Sequence, residues 1–364
     1  MSSVIPNPDP IGLPAPAWLL QILLVLTFVL HLLAMNLLVG GVVMMGIAHR
    51  KGKSSPFYAK LAERLSMALP PSMAMTITLG IAPLLFLQVL FGQAFYTTSI
   101  LMAWPWLAII PLLIVSYYGL YIVQYRPEWL GNFRTAISWL SALIILFIGL
   151  LFTSNSVLIM DPSKWGPMYA QSDTGLRLEV ASNGLWARYL HSIVAGFAIS
   201  GLGLGWLARR YERDDAEWSR EATVYGGKWF VNATLVNLVV GMWFLFSIPR
   251  EIRMNFLGES MVDTGILWLG VLIALGAMHF AMKARVVPAT LMAVATVALM
   301  AVSRHRLRAM FLDPDLDPTA LKVSPQWDVF AVFVVLLLAG LVVVGWMLHK
   351  LAKGSENAAS APEG

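Results

Sequence analysis

Two imidazoles lie deep in apolar sequence. His191 sits six residues into a segment starting at Leu185, in the run Arg188-Tyr189-Leu190-His191-Ser192-Ile193-Val194-Ala195-Gly196, and His31 lies inside the segment that opens at Ala17. An imidazole in hydrocarbon must find a hydrogen bond or a metal, because an unpaired polar group there costs several kcal/mol. Two readings follow. Each histidine bonds a carbonyl or hydroxyl of a neighbouring helix, or each ligates haem iron, which needs only one or two axial ligands in a rigid pocket. No Asp or Glu lies well inside the apolar segments, so the pattern suits holding a haem better than moving protons.

Other groups could complete such a site. Met242, Met261, Met278, His279 and His31 are candidate second ligands for an iron at His191. Gly196, Gly201, Gly203 and Gly205 follow His191, and Gly40 and Gly41 follow His31; small residues there make room for a flat macrocycle or for close helix packing. Arg250, Arg253, Arg304, Arg306 and Arg308 crowd two helix ends. Guanidinium forks bind carboxylates well, so haem propionates or a quinone headgroup are candidate partners. Anionic lipid, or Glu251, Glu259, Asp313, Asp315 and Asp317, would serve equally. His49 and His349 fall in basic stretches and are expected to be solvated.

The elements that carry these groups are membrane helices. Of 364 residues, 58% are hydrophobic and only 12% charged, about half the charge of a soluble domain, and the mean hydropathy is +0.72. The formal charge of +5 is spread by loop and is no nucleic-acid signature. The absence of cysteine removes disulfides, iron–sulfur ligation and covalent c-type haem attachment. The first apolar segment has no basic n-region and is too long for a cleaved signal, so it reads as a retained helix.

Nine spans are expected, at roughly 17–47, 69–93, 98–124, 134–155, 185–208, 229–248, 263–283, 287–305 and 327–350. Pro70, Pro83, Pro105 and Pro111 are expected to kink the second and third. With the N-terminus outside, sixteen Lys and Arg fall on the inner side against nine on the outer, which favours that orientation and a cytoplasmic C-terminus. Trp104, Trp106, Trp129, Trp186, Trp229 and Trp327 lie near span ends, as an interfacial belt would. The chain reads as one all-α polytopic membrane domain, 1–364. It comprises helices one to four (about 17–155), five to eight (about 185–305), a last helix (about 327–350) and a tail 351–364. No repeat between the two four-helix groups is evident.

Three runs resemble the subunit I family of cytochrome bd quinol oxidases. His31-Leu32-Leu33-Ala34-Met35-Asn36-Leu37-Leu38-Val39-Gly40 is similar to its first-helix run, where a haem-ligating His precedes a Gly by nine residues. Leu79-Gly80-Ile81-Ala82, followed after eight residues by Phe91-Gly92, resembles the second-helix run. Tyr189-Leu190-His191-Ser192 with Gly196 resembles the fifth-helix run, whose His ligates low-spin haem b. The resemblance implies nine helices, an N-terminus outside, haem b at His191 and His31, and quinol as substrate. The departures are equally specific. The third helix lacks the family's carboxylates, Gln88 replaces a Glu, and Ala301-Val302-Ser303-Arg304-His305-Arg306-Leu307 keeps only the Arg of a Glu-preceded Gly-Arg-Gln-Pro-Trp motif. The outer quinol loop is cut to Pro249–Gly265, and the axial Met expected early in helix seven is missing from Gly265-Ile266-Leu267-Trp268-Leu269-Gly270-Val271.

The expectation is therefore a haem b electron-transfer subunit of a quinol-linked oxidoreductase in the inner (cytoplasmic) membrane. It would relay electrons between the quinone pool and a second membrane subunit or a c-type cytochrome. The alternatives are a terminal oxidase subunit with an altered ligand set, and a haem-free structural subunit or transporter.

Overall fold

The computed structural model describes residues 11–171, 174–313 and 315–336, together with residue 5 and positions 338, 339, 342, 343 and 346. Eight helices among them are long and apolar enough to cross a bilayer. They are α1 (Ala17–Lys51), α2 (Pro56–Leu101), α3 (Ala103–Tyr125), α4 (Arg134–Ile159), α5 (Leu185–Arg210), α6 (Ala216–Ser247), α7 (Met261–Met282) and α8 (Val286–Leu312). The expected ninth span begins as an apolar helix, Trp327–Leu336. Most of its remainder, with His349 and the tail 351–364, lies outside the described residues. The chain is an all-α, multi-pass membrane protein.

Helix two differs most from expectation. It extends over 46 residues with one kink, about 69 Å of contour at the α-helical rise, against a hydrocarbon thickness of roughly 30 Å. Its first three turns therefore project beyond the membrane. Its single non-helical residue is Phe91 (φ −132°, ψ 34°), a fully buried ring, and not Pro70, Pro71 or Pro83. Of the six tryptophans, Trp104, Trp129, Trp186 and Trp327 are exposed, as a belt requires, whereas Trp106 and Trp229 pack against core clusters.

The two four-helix groups repeat one packing pattern. α1 packs most extensively on α2 as α5 does on α6, α3 pairs with α4 as α7 does with α8, and α1 and α5 meet at the centre. The repeat that sequence inspection does not reveal survives at a few positions: His191 follows His31 by 160 residues, Gly201 follows Gly41 by 160, and Gly241 follows Gly80 by 161. At the α1–α5 seam Ser200 donates to the carbonyls of Asn36 (2.8 Å) and Leu37 (2.9 Å). A Cβ on Gly40 would stand 2.6 Å from the Gly196 carbonyl oxygen. Gly196 itself faces Val39, Gly203 faces Leu37 and Gly205 faces Val286. These glycines serve helix contact, the second of the two roles their spacing allowed.

Both ends are tied. At the end expected to face inward (the inner end, the opposite one being the outer end) Lys60 and Arg64 of α2 reach Asp215, the N-cap of α6, at 2.6 and 2.9 Å. The Lys60 hydrogen bond is the main force holding the Asp215 carboxyl below its usual range. Arg64 also stacks between Tyr211 (4.1 Å) and Trp218 (3.7 Å). His49 is not solvated as expected: it is buried, with Nδ1 2.8 Å from Ser138 Oγ, because α4 folds over the end of α1. At the outer end Ile5, Leu13 and Ala15 of the N-terminal lead-in pack with Leu24, Phe91 and Leu312 into an apolar cap. Leu13 pairs there with the segment around Val323.

Gly40→Leu should force the α1–α5 seam apart and cost at least the 1–3 kcal/mol typical of overpacking, read as a lower Tm in detergent. Gly265→Ala, with nothing within 4 Å of its Cβ, should leave Tm unchanged. The cysteine-free chain also permits a direct check of orientation. A single cysteine at Asp315 should react with an impermeant maleimide added outside intact cells, and one at Arg213 only after the membrane is opened.

Candidate functional site

The site is built at the outer halves of both groups. Gly184 (φ +79°) turns the chain into α5 against the end of α6, where a Cβ would meet Ser247 Oγ at 2.6 Å. Arg188 and His191 follow, three residues apart and so on one helix face. Both pack on Phe244 of α6: the Arg188 guanidinium lies 4.9 Å from the ring centroid, and the His191 ring lies 6.1 Å away, tilted. The first group repeats this arrangement with a cation from α8. Arg304 lies 4.7 Å from the Phe28 centroid, and Phe28 is 6.4 Å from His31.

Each imidazole meets a glycine of the next helix. A Cβ on Gly80 of α2 would stand 2.9 Å from His31 Cε1 and 3.0 Å from Nδ1; one on Gly241 of α6 would stand 3.2 and 3.3 Å from the same atoms of His191. His31 Nδ1 is 3.1 Å from the Thr76 carbonyl oxygen. His191 Nδ1 is buried and short of a well-formed hydrogen bond, although the Asn237 carbonyl lies beside it. Thr76 and Asn237 each precede their glycine by four residues. The histidines thus occupy equivalent places on different helix pairs, and no contact joins them.

Between these places lies a group of buried cations. Arg188 of α5 is close enough to Arg304 and Arg308 of α8 for mutual repulsion. Arg304 donates to Ser156 Oγ (3.0 Å) and Arg188 reaches Met160 Sδ (3.4 Å). Arg308 is only 9% exposed, beneath the N-terminal cap, and its guanidinium lies 5.4 Å from the Phe91 ring. Among the described residues no carboxylate lies within ion-pair distance of these three. His305, beside Phe91, has a buried Nδ1 without a hydrogen bond.

The remaining sequence candidates are dispersed. Arg306 pairs with Asp263 in the first turn of α7, one bond being Nη2 to Oδ2 at 2.8 Å, and Ser260 completes that carboxylate at 2.6 Å. Asp263 is therefore a buried acid at a span boundary, engaged on both oxygens. Arg250 is exposed, and Arg253 donates to the Phe246 carbonyl (3.1 Å). Met261 is 90% exposed. Met242 and His279 are also on the surface, and Met278 sits in the inner cluster with Ala198 and Phe230. Sequence reasoning did not single out Arg188 as a site residue. Its spacing to His191 is the signal that would have found it.

The fold and this site define a helical membrane protein with two imidazoles and a buried cationic group toward the end of the bundle that carries the N-terminal lead-in. No protein-family model matches the chain, and no curated protein does. Among solved structures it is similar to the bd oxidase from Geobacillus thermodenitrificans, with a TM-score of 0.65 over 93% of this chain and 98% of that one, at 14% identity. The shared feature is the fold.

Three arginines with no carboxylate partner among the described residues place like charges together in a buried region. Arg308→Met keeps the length and reduces the repulsion, and it spares the desolvation cost of one buried cation, several kcal/mol when unpaired. Protein stripped of bound anions should gain stability on this substitution, while protein retaining its anionic ligand should lose it. Paired thermal melts provide the comparison.

Proposed function

We propose that this chain is a bd-like haem b subunit that passes electrons between quinol and a redox partner, a second membrane subunit or a c-type cytochrome. The observation that carries the reading is the buried group Arg188, Arg304 and Arg308, which has no carboxylate partner among the described residues and lies beside both histidine places. Such a group calls for a bound dianion, and haem propionates supply two carboxylates together with an iron that takes imidazole. The donors fit. Neither His31 nor His191 spends Nε2 on a hydrogen bond among the described residues, so each has that atom free for a metal.

In this reading His191 and His31 hold iron, the three arginines hold the propionates, and Phe28, Phe91 and Phe244 exclude water around them. The haem, when bound, supplies reversible one-electron chemistry. The protein's part is electrostatic: three fixed cations in low dielectric favour the electron-rich, more negative state of whatever lies between them. Arg250 and Arg253 stand further out, where a headgroup or partner would approach. Oxygen reduction is the weaker alternative, since it needs a proton supply and the spans offer no free carboxylate.

Purified protein should show a b-type Soret and α-band in its reduced-minus-oxidised spectrum. His191→Ala should remove the low-spin component, and Arg304→Gln should lower the midpoint potential of what remains. A chain with no b-type absorbance would defeat the proposal, and an unchanged spectrum in His191→Ala would defeat the ligand assignment.

A further inference from the structure

We infer that Gly80 and Gly241 are positioning residues, each opening a slot on its helix in which a histidine Nδ1–H donates to the carbonyl four residues earlier and leaves Nε2 as the binding atom. The inference deepens the haem reading but stands on separate geometry. In an α-helix the carbonyl of residue i accepts the N–H of residue i+4. The Thr76 carbonyl is therefore already the acceptor of the Gly80 N–H, and the Asn237 carbonyl of the Gly241 N–H. A carbonyl oxygen has a second lone pair, normally screened in a packed helix by side chains one turn on. Glycine at i+4 removes that screen.

The two cases are at different stages of the same contact. At His31 the bond is formed, at 3.1 Å. At His191 the ring lies against Gly241 and beside the Asn237 backbone, and its buried Nδ1 makes no hydrogen bond, so that here the bond has still to close. The recurrence at an offset of 160 residues for the histidines and 161 for the glycines shows the slot to be a unit of imidazole, glycine and carbonyl, carried once in each four-helix group. A carbonyl acceptor at Nδ1 fixes the tautomer and ring orientation of a ligating histidine and raises the basicity of Nε2. Any side chain at the glycine pushes the ring off the carbonyl, since the added Cβ would lie within 3.0 Å of His31 Nδ1 and 3.3 Å of His191 Nδ1.

The test is 15N solid-state NMR of the full chain in lipid, with labelled histidine, any haem reduced, and His31 and His191 assigned through H31Q and H191Q. Both residues should show the Nδ1–H tautomer. Gly80→Ala should shift only His31 away from it, and Gly241→Ala only His191, with Gly265→Ala as the control for added bulk. An Nε2–H tautomer at either histidine in the unsubstituted protein overturns the inference, as does an Nδ1–H signature that survives the alanine. The first of these readings needs no variant, so a variant that fails to fold leaves the test decisive. Optical spectra of the same samples separate the two proposals. Correct tautomers without a b-type band refute haem and keep the slot; a b-type band with the Nε2–H tautomer refutes the slot and keeps haem.

Discussion

Everything in this fold hangs from the close contact of α1 with α5. Gly40 faces Gly196 and Ser200, and the Ser200 hydroxyl reaches the α1 carbonyls of Asn36 and Leu37. In a bilayer, apolar surface gives no net drive for helix association, since lipid tails are as apolar as leucine; close packing and interhelical hydrogen bonds must supply it. The seam supplies both. It sets the two helix pairs at one depth, so that His31 and His191, five to nine residues outward of the contact, stand at matching levels on either side.

The second constraint is charge. Arg188, Arg304 and Arg308 come from two helices of the second group, yet Arg304 stacks on Phe28 of α1 and Arg308 on Phe91 of α2. The arginines therefore bind the halves together through aromatic faces while repelling one another. Cation–π contact of this kind contributes about 0.5–2 kcal/mol each, well short of the several kcal/mol that burying an unpaired charge costs. On the proposed reading an anion held among the arginines would offset that cost, and ligand binding and packing at this end would then be coupled. The Phe91 bend in α2 fits here, because it seats that ring beneath Arg308 and beside His305.

Much of this was legible in the sequence. Hydropathy gave the spans, the basic residues gave an orientation to test, and the two histidines stood out because hydrocarbon makes imidazole costly. What was hidden depends on contacts across the chain. Arg188 looks like a loop cation until α8 brings Arg304 and Arg308 beside it. His49 looks solvated until Ser138 closes over it. Asp263 looks like the last loop residue before a helix, yet it is buried in a pair with Arg306. The repeat is concealed because lipid-facing positions accept any apolar residue. Only residues fixed by close approach, such as Gly41 and Gly201 or Gly80 and Gly241, keep their offset.

Asp263 also bears on which chemistry the site supports. Its oxygens are occupied by Arg306 and Ser260, so it could carry a proton only by giving up those bonds. Gln88, standing where a titratable group would help, cannot ionise, and its nearest polar partner is Tyr96 at 3.5 Å. These two positions offer no ready proton donor, while an imidazole beside a glycine recurs in both halves and the buried cations all come from α5 and α8 of the second. On the proposed reading, groups that could hold and bias a redox centre stand out more clearly than groups that could feed it protons, which favours relaying electrons over consuming oxygen.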